Sequence, residues 1–422
     1  MGEGVGVMIT ADVLALGLGV EPPWKLVDQR LETDKRPHEL RIELAADRGA
    51  EFPCPDCGRL CKARDFNSFT WRHLNFFQHH CYITARVPRT DCPEHGVKRI
   101  TVPWARAGSR FTLLFEQAAL ILVREMPVLA AARIMAITDK RLWRIVEHYV
   151  AKALSGLKLE HLKAFAFDET ASKRGHNYVT VFIDLARKGR PVVFATPGKG
   201  KQTVSDFKAF LEAHGGKPER VVEVVCDMSP AFLAAVGETF EKASQTVDWF
   251  HVVQLFTTAV DEVRKAERRQ VELPDATRWA VLKAHDGGRL SDKQAAALAE
   301  LEAGDFLTAQ AWRIKEKLRW VRAAETSHAA RWRITHFLRH ARERIADNPM
   351  LEKLRQAVET VEKHQERILQ RWTSTYNNAR LEALNGIFKA ARARARGYRN
   401  VATFITMIYL IAAPLGELFN SI

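Results

Sequence analysis

Two apolar runs in the middle of the chain each end in an aspartate. Residues 162–168 alternate in the way that suits a half-buried strand and end at Asp168, and residues 221–227 form a second apolar run that ends at Asp227. Two strands of one sheet that end in this way bring two carboxylates together at its edge. Because two close carboxylates repel each other, such a pair is usually stabilised by a cation.

The apolar pattern around these two runs predicts further strands and helices. In chain order we expect strands at residues 178–185 and 191–196, a helix at 202–214, a helix from 230, a strand at 246–250 and a helix from 252. Short polar turns between the first three strands indicate an antiparallel meander. The order β-β-β-α-β-α-β-α, with acids ending the first and fourth strands, is typical of a ribonuclease-H-like fold. Asp184 and Asp248 also fall near strand ends, where we expect acids that face solvent.

The candidate third acid is Glu382, which follows a helical pattern that runs from residue 261 to about 376. Glu382 leads a row of amides and cations spaced three or four residues apart on one helix face, formed with Asn378, Asn385, Lys389, Arg392 and Arg396. One acid followed by bases suits a metal ligand beside a phosphate track. The candidate DNA contacts in this segment are Lys389, Arg392, Arg394, Arg396 and Arg399.

Four tryptophans are spread among basic residues in the long helical stretch: Trp279, Trp312, Trp320 and Trp332. We expect them to be packing residues of a helical insertion. The alternative is that they stack on nucleic-acid bases.

Residues 111–152 carry three helical patterns joined by short connections. Pro127 suits the first turn of the second helix and Thr138 the N-cap of the third, which predicts a helix-turn-helix. The buried stripe of the third helix is expected at Leu142, Ile145, Val146 and Tyr149. Three cations project from its start, where a recognition helix meets bases and phosphates, namely Lys140, Arg141 and Arg144. A plain three-helix connector is the alternative.

Two matched half-sites near the start of the chain predict a metal centre. They are Cys54 with Cys57 and Cys92 with His95, each with a two-residue gap and a trailing glycine. This spacing predicts one structural, tetrahedral Zn²⁺. Strands expected at residues 69–72 and 81–87 lie between the half-sites and complete a zinc ribbon. Other residues compete for a ligand place: Cys61, Cys81, His73, His79 and His80.

The composition also indicates a class of binding partner and a cellular compartment. The 422 residues are 47% apolar, which predicts folded domains, and carry a formal net charge of +14, which suggests a polyanionic partner. No apolar window is long enough for a membrane span, and the apolar start lacks the basic leader of a signal peptide. Clustered cysteines indicate metal binding in a reducing compartment. We expect a cytoplasmic, nucleoid-associated protein.

Together these patterns predict a multi-domain α/β protein in five segments. A β-rich zinc ribbon (1–105) precedes a helix-turn-helix (106–158), the first part of a ribonuclease-H-like catalytic core (159–260), a helical insertion (261–370) and the C-terminal core helices that carry the third acid (371–422).

The ordered set of motifs resembles the IS-L-three (ISL3) family of bacterial insertion-sequence transposases, which cut DNA with a DDE triad. The resemblance spans nearly the whole chain and includes the cysteine-histidine finger, residues 167–169, 225–230 and 248–251, and Glu382 with Asn385, Gly386 and Lys389. It implies that Asp168, Asp227 and Glu382 form the triad. It also suggests that the finger and the helix-turn-helix bind the terminal inverted repeats of the element.

This resemblance agrees with two-metal chemistry on double-stranded DNA. Two Mg²⁺ or Mn²⁺ ions would activate a water or a DNA 3′-hydroxyl and stabilise the leaving oxygen. A homodimer is expected at least with DNA bound, because two element ends must be paired. Polar residues at the end of the first strand are candidates for contact with the scissile phosphate, with loop solvation as the alternative: Glu169, Ser172, Lys173 and His176. Lys173 and Arg174 are also candidate DNA contacts. The role of His251 stays open between the site and a core helix cap.

Two other functions fit the same motifs. One is a domesticated, non-catalytic DNA-binding regulator, which the presence of all three acids disfavours. The other is a structure-specific nuclease of the same fold, which would cut DNA without joining it.

Overall fold

The computed structural model describes residues 15, 17–173, 175, 177–283, 290–374, 376 and 379–414. The described residues divide into two compact units, one that ends at residue 149 and one that extends from residue 150 to 414. The first unit carries strands followed by helices, and the second unit intersperses the two. The protein is therefore a mixed α/β, multi-domain chain. Among the described helices, none has the length and apolar character that crossing a bilayer requires.

The first unit begins with a six-stranded sheet. Its strands are β1 (Trp24–Glu32), β2 (Glu39–Ala46), β3 (Glu51–Pro53), β4 (Leu60–Phe76), β5 (His79–Cys92) and β6 (Gly96–Arg99). They run in the order β1-β2-β5-β4-β3, with β6 paired to β5, and β2 lies parallel to β5 while the other neighbours are antiparallel. Trp24, Trp71 and Trp104 pack together in its core.

β4 and β5 are much longer than the two short strands predicted at residues 69–72 and 81–87. Their extra residues are charged and pair across the two strands. Arg64 donates to Asp91 at 3.1 Å, and the Nε of Arg89 donates to Asp65 at 2.8 Å. Cross-strand ion pairs of this kind support a ladder whose polar sequence is otherwise typical of a loop.

The predicted three-helix segment is confirmed as α1 (Leu113–Glu125), α2 (Val128–Ile134) and α3 (Asp139–Ser155). The backbone N–H of Arg141 donates to the Thr138 hydroxyl at 3.4 Å, so Thr138 caps α3 as predicted. The predicted buried stripe of α3 is also confirmed, with Leu142, Ile145, Val146 and Tyr149 buried.

A buried carboxylate on α1 joins this helix to α3. Glu116 is fully buried and accepts hydrogen bonds from Arg106 Nε at 3.0 and 2.9 Å, from Ser109 Oγ at 2.7 Å and from Tyr149 Oη at 2.8 Å. Burial, followed by the nearby Glu116 carboxylate, raises the pKa of Tyr149. The helical period alone predicted none of these contacts.

The second unit is built on a five-stranded sheet of β7 (Ala164–Lys173), β8 (Asn177–Asp184), β9 (Val192–Pro197), β10 (Glu223–Cys226) and β11 (Ser244–Val247). The order is β11-β10-β7-β8-β9. The predicted antiparallel meander of β7, β8 and β9 is confirmed, and β10 lies parallel to both β7 and β11. Asp168 lies inside β7, not at its end as predicted, because β7 continues beyond it to pair with β8.

Helices make up the rest of the second unit. They are α4 (Lys201–Ala213), α5 (Pro230–Thr239), α6 (Trp249–Arg268), α7 (Thr277–Leu282), α8 (Asp292–Ala303), α9 (Leu307–Arg322), α10 (Ser327–Ile345), α11 (Glu352–Lys363), α12 (Gln365–Leu369), α13 (Ala379–Arg394) and α14 (Val401–Ala412). The strand predicted at residues 246–250 ends earlier, at Val247, because the Asp248 carboxylate accepts the Phe250 N–H at 3.1 Å and starts α6 at Trp249.

The two faces of the second sheet are covered by different helices. Phe207 of α4 and Phe232 of α5 pack on Phe165, Phe167 and other residues of one face. On the other face, α13 contacts β7 and α14 contacts β9. There the Tyr409 hydroxyl of α14 accepts the Ala195 N–H of β9 at 2.8 Å.

Helices α6 to α12 share a core of their own, which extends from Val247 to Leu369. The packing role expected of the tryptophans is wrong for three of the four. Trp279, Trp320 and Trp332 are 53%, 40% and 55% exposed, whereas Trp312 packs against this core.

Candidate functional site

The two predicted metal half-sites meet in the first unit. The ligand atoms of Cys54, Cys57, Cys92 and His95 all lie within 4.8 Å of one another. Two thiols, Cys57 and Cys92, are 3.7 Å apart, and the His95 Nδ1 lies 3.6 Å from the Cys92 Sγ. Tetrahedral coordination with Zn–S bonds of about 2.3 Å separates ligand atoms by about 3.8 Å. The donor set and its spacing therefore fit a structural zinc ion.

Positive φ angles at Gly58 and Gly96 let the backbone turn after each half-site, as the trailing glycines predicted. A hydrogen bond with His95 is the largest influence on the Cys92 thiol and lowers its pKa to about 6. Among the described residues, this is the one group of three or more metal-ligating side chains that lies close enough together to hold an ion.

Some of the residues that compete for a zinc-ligand place lie near the cysteine-histidine group, and others lie away from it. Cys61 is buried against Cys54 and Cys92, so it is the one competitor in contact with the centre. Cys81 lies in β5, where burial raises its pKa to about 11. His73 instead hydrogen-bonds the Thr112 hydroxyl at 2.9 Å, and burial lowers its pKa to about 4.

In the second unit, strand register aligns three aspartates. Val225 of β10 pairs in parallel with Ala166 of β7, so the same register continued by two residues sets Asp227 beside Asp168. Cys226 pairs with Val247 of β11, so one further residue sets Asp248 beside Asp227. Neighbouring strands lie about 4.8 Å apart, and residues in register face the same side.

The solvent-facing position expected for Asp184 and Asp248 is wrong. Asp184 is 1% exposed and accepts hydrogen bonds from the Ala186 N–H and the His161 ring. Asp248 is 6% exposed and caps α6. Register, which a single sequence does not reveal, is the signal that would have brought Asp248 to the candidate site.

The carboxylates of the site perturb one another. Burial is the largest cause that raises the pKa of Asp168, and Asp248 and Asp227 raise it further. The pKa of Glu169 is also raised, first by burial and then by Asp227 and Asp168. For Glu382, partial desolvation and then Asp248 raise the pKa. A concentration of carboxylates of this kind favours a bound cation.

Glu382 and Asn385 approach the sheet on α13. The Asn385 Nδ2 donates to the Asp168 Oδ2 at 2.7 Å, while its Oδ1 is buried without a hydrogen-bond partner in the described structure. Glu382 is exposed one turn earlier. The structure brings Asp168 and Asp227 side by side and Glu382 within electrostatic range, but it does not gather the three carboxylates as closely as the cysteine-histidine group.

Buried polar contacts bring the chain back to the sheet after the helical insertion. Glu223 of β10 accepts the Thr246 hydroxyl at 2.8 Å and the Ser374 hydroxyl at 2.7 Å. Ser374 comes shortly before α13, so this carboxylate anchors the segment that leads to Glu382. Arg392, further along α13, donates to the Ala171 carbonyl of β7.

His251 of α6 lies between two of the aspartates. Its Nε2 is 4.0 Å from the Asp168 Oδ1, and its Nδ1 is 3.7 Å from the Asp248 Oδ2. A cleft of about 560 Å³ extends from Asp227 and His251 along α6 and α11, where polar residues such as Gln254 and Gln356 line it.

The side chains predicted to contact DNA differ in their solvent exposure. In α3, Lys140, Arg141 and Arg144 are exposed, as a reading helix requires. In the second unit, exposed cations are found at Lys173, Lys389, Arg394, Arg396 and Arg399. Ser172 is buried and donates to the Asn177 carbonyl at 3.0 Å, so its hydroxyl does not face a substrate phosphate as we considered. Arg174, His176 and Asn378 lie outside the described residues.

Three family models match consecutive parts of this chain. The model described as transposase, for the DDE domain of ISL3 elements, matches residues 165–408. The helix-turn-helix domain of transposase family ISL3 matches residues 100–150, and the zinc-finger of transposase IS204/IS1001/IS1096/IS1165 matches residues 50–95.

Two curated proteins illustrate the similarity. The chain is 30% identical to the transposase for insertion sequence element IS1557 of Mycobacterium tuberculosis over 59% of its own length and 56% of that protein. It is 25% identical to the transposase for insertion sequence element IS1001 of Bordetella parapertussis over 84% of its own length and 87% of that protein. The match thus spans little more than half of the first relative.

A solved structure, the cryoEM structure of simian T-cell lymphotropic virus intasome in complex with PP2A regulatory subunit B56 gamma, matches 42% of this chain and 76% of one of its own chains. The sequence identity is 15% and the TM-score 0.18, a value too low to support a statement about the fold.

Proposed function

Because this chain belongs to the ISL3 family of transposases, we propose that it binds the terminal inverted repeats of an insertion sequence and cuts and joins DNA strands there. The catalytic triad in this proposal is Asp168, Asp227 and Glu382. The observation that carries it is the parallel register of β10 and β7, which pairs Val225 with Ala166 and, continued by two residues, sets Asp227 beside Asp168.

The topology of the second sheet supports a ribonuclease-H-like core. Counted along the second unit, the strands lie in the order 5-4-1-2-3, with strand 2 antiparallel to its neighbours and strands 1, 4 and 5 parallel. The proposed core spans residues 159–260 and 371–422, separated by the helical insertion at 261–370. In open sheets of this kind, sites form outside the carboxyl ends of parallel strands.

The acids of the site fit Mg²⁺ or Mn²⁺ as ligands. Hard divalent cations prefer oxygen donors, and burial followed by the Asp248 and Asp227 carboxylates raises the pKa of Asp168, an effect that such ions would offset. The orphaned Oδ1 of Asn385 adds a neutral oxygen beside Asp168. When bound by Asp168, Asp227 and Glu382, two such ions would supply an activated water or 3′-hydroxyl and stabilisation of the leaving oxygen.

The protein's own residues position these acids and the DNA. Asn385 and the Glu169 N–H, which donates to the other Asp168 oxygen at 2.8 Å, together fix the orientation of the Asp168 carboxylate. The Ser229 N–H does the same for Asp227 at 2.9 Å. The cleft along α6 and α11 suits one strand of the substrate, and exposed cations of α13 such as Lys389 suit its phosphates.

End recognition is assigned to the first unit. The zinc ribbon (1–105) would hold one structural Zn²⁺ through Cys54, Cys57, Cys92 and His95, and the helix-turn-helix (106–158) would present Lys140, Arg141 and Arg144 to the repeat. Target DNA is the second DNA partner. A homodimer on DNA is proposed because two element ends must be joined in one event.

The test is strand cleavage and strand transfer on duplex DNA that carries the flanking repeats, with Mg²⁺ or with EDTA. Asp168→Asn, Asp227→Asn and Glu382→Gln should each abolish both reactions and keep end binding. Glu241→Gln, an exposed carboxylate outside the site, is the matched control and should retain activity.

Full cleavage by any of the three variants would disprove the assignment of that acid. Cutting without joining would identify a nuclease instead of a transposase. Light scattering of the complex with end DNA measures whether two copies assemble.

A further inference from the structure

A cleft between α9 and α10 lies outside every site described above. It has two adjoining parts of about 440 and 490 Å³, which share Lys317, Trp320 and His340 in their walls. Neither part includes one of the acids or their contacts. The cleft thus belongs to the helical insertion alone, and the proposed chemistry does not use it.

One exposed tryptophan, Trp320, lines this cleft, and a second, Trp332, contacts Trp320 and the lining residue His336 from beside it. Trp320 of α9 and Trp332 of α10 meet edge to face, with ring centroids 5.6 Å apart and planes at 69°. An edge-to-face contact covers one face of one of the two rings, so other faces can stack on a further planar group. Exposures of 40% and 55% agree with open faces.

Neighbouring side chains hold the two rings in place. Arg333 lies over the Trp320 ring, 5.3 Å from its centroid, and donates to the Trp320 carbonyl at 2.7 Å. The centroid of the His336 ring lies 4.4 Å from the centroid of the Trp332 ring. Rings fixed in this way lose little conformational entropy when a ligand stacks on them.

The walls of the cleft carry an excess of positive charge. Its cations are Arg313, Lys317, Arg339 and Arg344, and its acids are Glu316 and Glu343. Glu316 is engaged by Lys315 at 3.1 Å. Lys317 and Arg344 have no carboxylate within ion-pair distance in the part of the chain that the structure describes. Partial burial, followed by the nearby Arg344, lowers the pKa of Lys317.

We propose that the α9–α10 cleft binds unpaired DNA, with bases stacked on Trp320 and Trp332 and phosphates held by Lys317 and Arg344. Fixed aromatic rings beside unpaired cations are the combination by which proteins bind single strands without reading their sequence. A lipid surface would instead require a broad apolar face without cations, whereas the walls of this cleft carry Arg313, Lys317, Arg339 and Arg344. The proposal rests on the proposed function only for the choice of DNA as the polyanion.

The experiment measures binding of the full chain to a fluorescent oligothymidylate of about twelve nucleotides, by anisotropy in buffer without Mg²⁺ or Mn²⁺, so that no cleavage is needed. Trp320→Ala and Trp332→Ala should each weaken binding at least about fivefold, the effect of losing one stacked base. Trp279→Ala is the matched control, because Trp279 is equally exposed in the same helical insertion but lies outside the cleft.

Charge removal gives a second, independent variant. Lys317→Gln should reduce the slope of log affinity against log salt by about 0.7, the value for one single-strand phosphate contact. Lys293→Gln, an exposed lysine on α8, should leave the slope unchanged. Photocross-linking of 5-iodouracil oligonucleotides to wild-type chain should label Trp320 or Trp332.

Equal binding by the Trp320, Trp332 and Trp279 variants would overturn the proposal. An equal loss for a matched duplex would also overturn it, because paired bases offer no free faces. So would a loss confined to anionic phospholipid vesicles. Because the assay contains no Mg²⁺ or Mn²⁺, a chain that never cleaves element ends could still support the cleft, and an active transposase could still refute it.

Discussion

The buried Glu116 network makes the orientation of α3 sensitive to one charge on α1. The perturbation to test is Glu116→Gln, with Glu125→Gln as the matched control on the same helix. The glutamine side chain would retain the shape of the glutamate but would remove the negative charge opposite Arg106 and turn an amide N–H₂ toward other donors.

The magnitude follows from the burial of each partner. Breaking a buried ion pair by removing one member costs about 3–5 kcal/mol. The Arg106 side chain is 25% exposed, so water solvates part of its freed charge, and we expect the lower end, about 3 kcal/mol. Glu125 is 68% exposed and 3.7 Å from Arg124, so its loss should cost about 0.5 kcal/mol or less.

Hydrogen exchange of the α1 and α3 amides measures both values. A loss of about 3 kcal/mol lowers protection about a hundredfold. Replacing both partners, as Arg106→Leu with Glu116→Leu, should recover part of the loss, since two apolar groups leave no buried charge unpaired. The reasoning is refuted if Glu116→Gln and Glu125→Gln reduce protection to the same extent.

Three further outcomes are expected. The pKa of His73 is about 4 in the folded state against 6.5 in the unfolded state, so between these pH values only the unfolded chain binds a proton at His73. Acidification from pH 7 to 5 should therefore lower the stability of the first unit, measured by urea unfolding, by about 2 kcal/mol. The His73→Gln variant should not show this loss. Cys92→Ser should lose bound zinc by metal analysis, whereas Cys81→Ser, buried in β5, should retain it. Asn385→Ala removes a hydrogen bond to a charged acceptor and should slow strand cleavage at least about tenfold, while Gly386→Ala, whose added Cβ meets nothing within 4 Å, should cleave at the normal rate.

Local patterns were sufficient for the elements of the fold and for two pairs of site residues. The alternation of residues 162–168 and 221–227 predicted β7 and β10, and the glycine-terminated half-sites predicted the partners that meet in the cysteine-histidine group. Both inferences depend only on neighbours in sequence. Periodicity and spacing report such neighbours directly.

Other site contacts were beyond the sequence because they join distant segments. Asn385 meets Asp168 across more than two hundred residues, and Ser374 meets Glu223 across 151. Asp248 was misassigned to solvent because its environment depends on strand order, which places β11 beside β10. The exposed tryptophans were misassigned for the opposite reason, since apolar residues are usually buried.

The division of the second sheet between early and late helices has a consequence during synthesis on the ribosome. The strands are complete at Val247, but α13 begins only at Ala379, about 130 residues later. At translation rates of about 5–20 residues per second, the face that holds Ala166 and Ala195 waits on the order of ten seconds for its cover. The nascent chain therefore carries a sheet with one face uncovered. Mutations that slow the emergence of α13 and α14 from the ribosome should lower the yield of soluble protein without changing the properties of the molecules that fold.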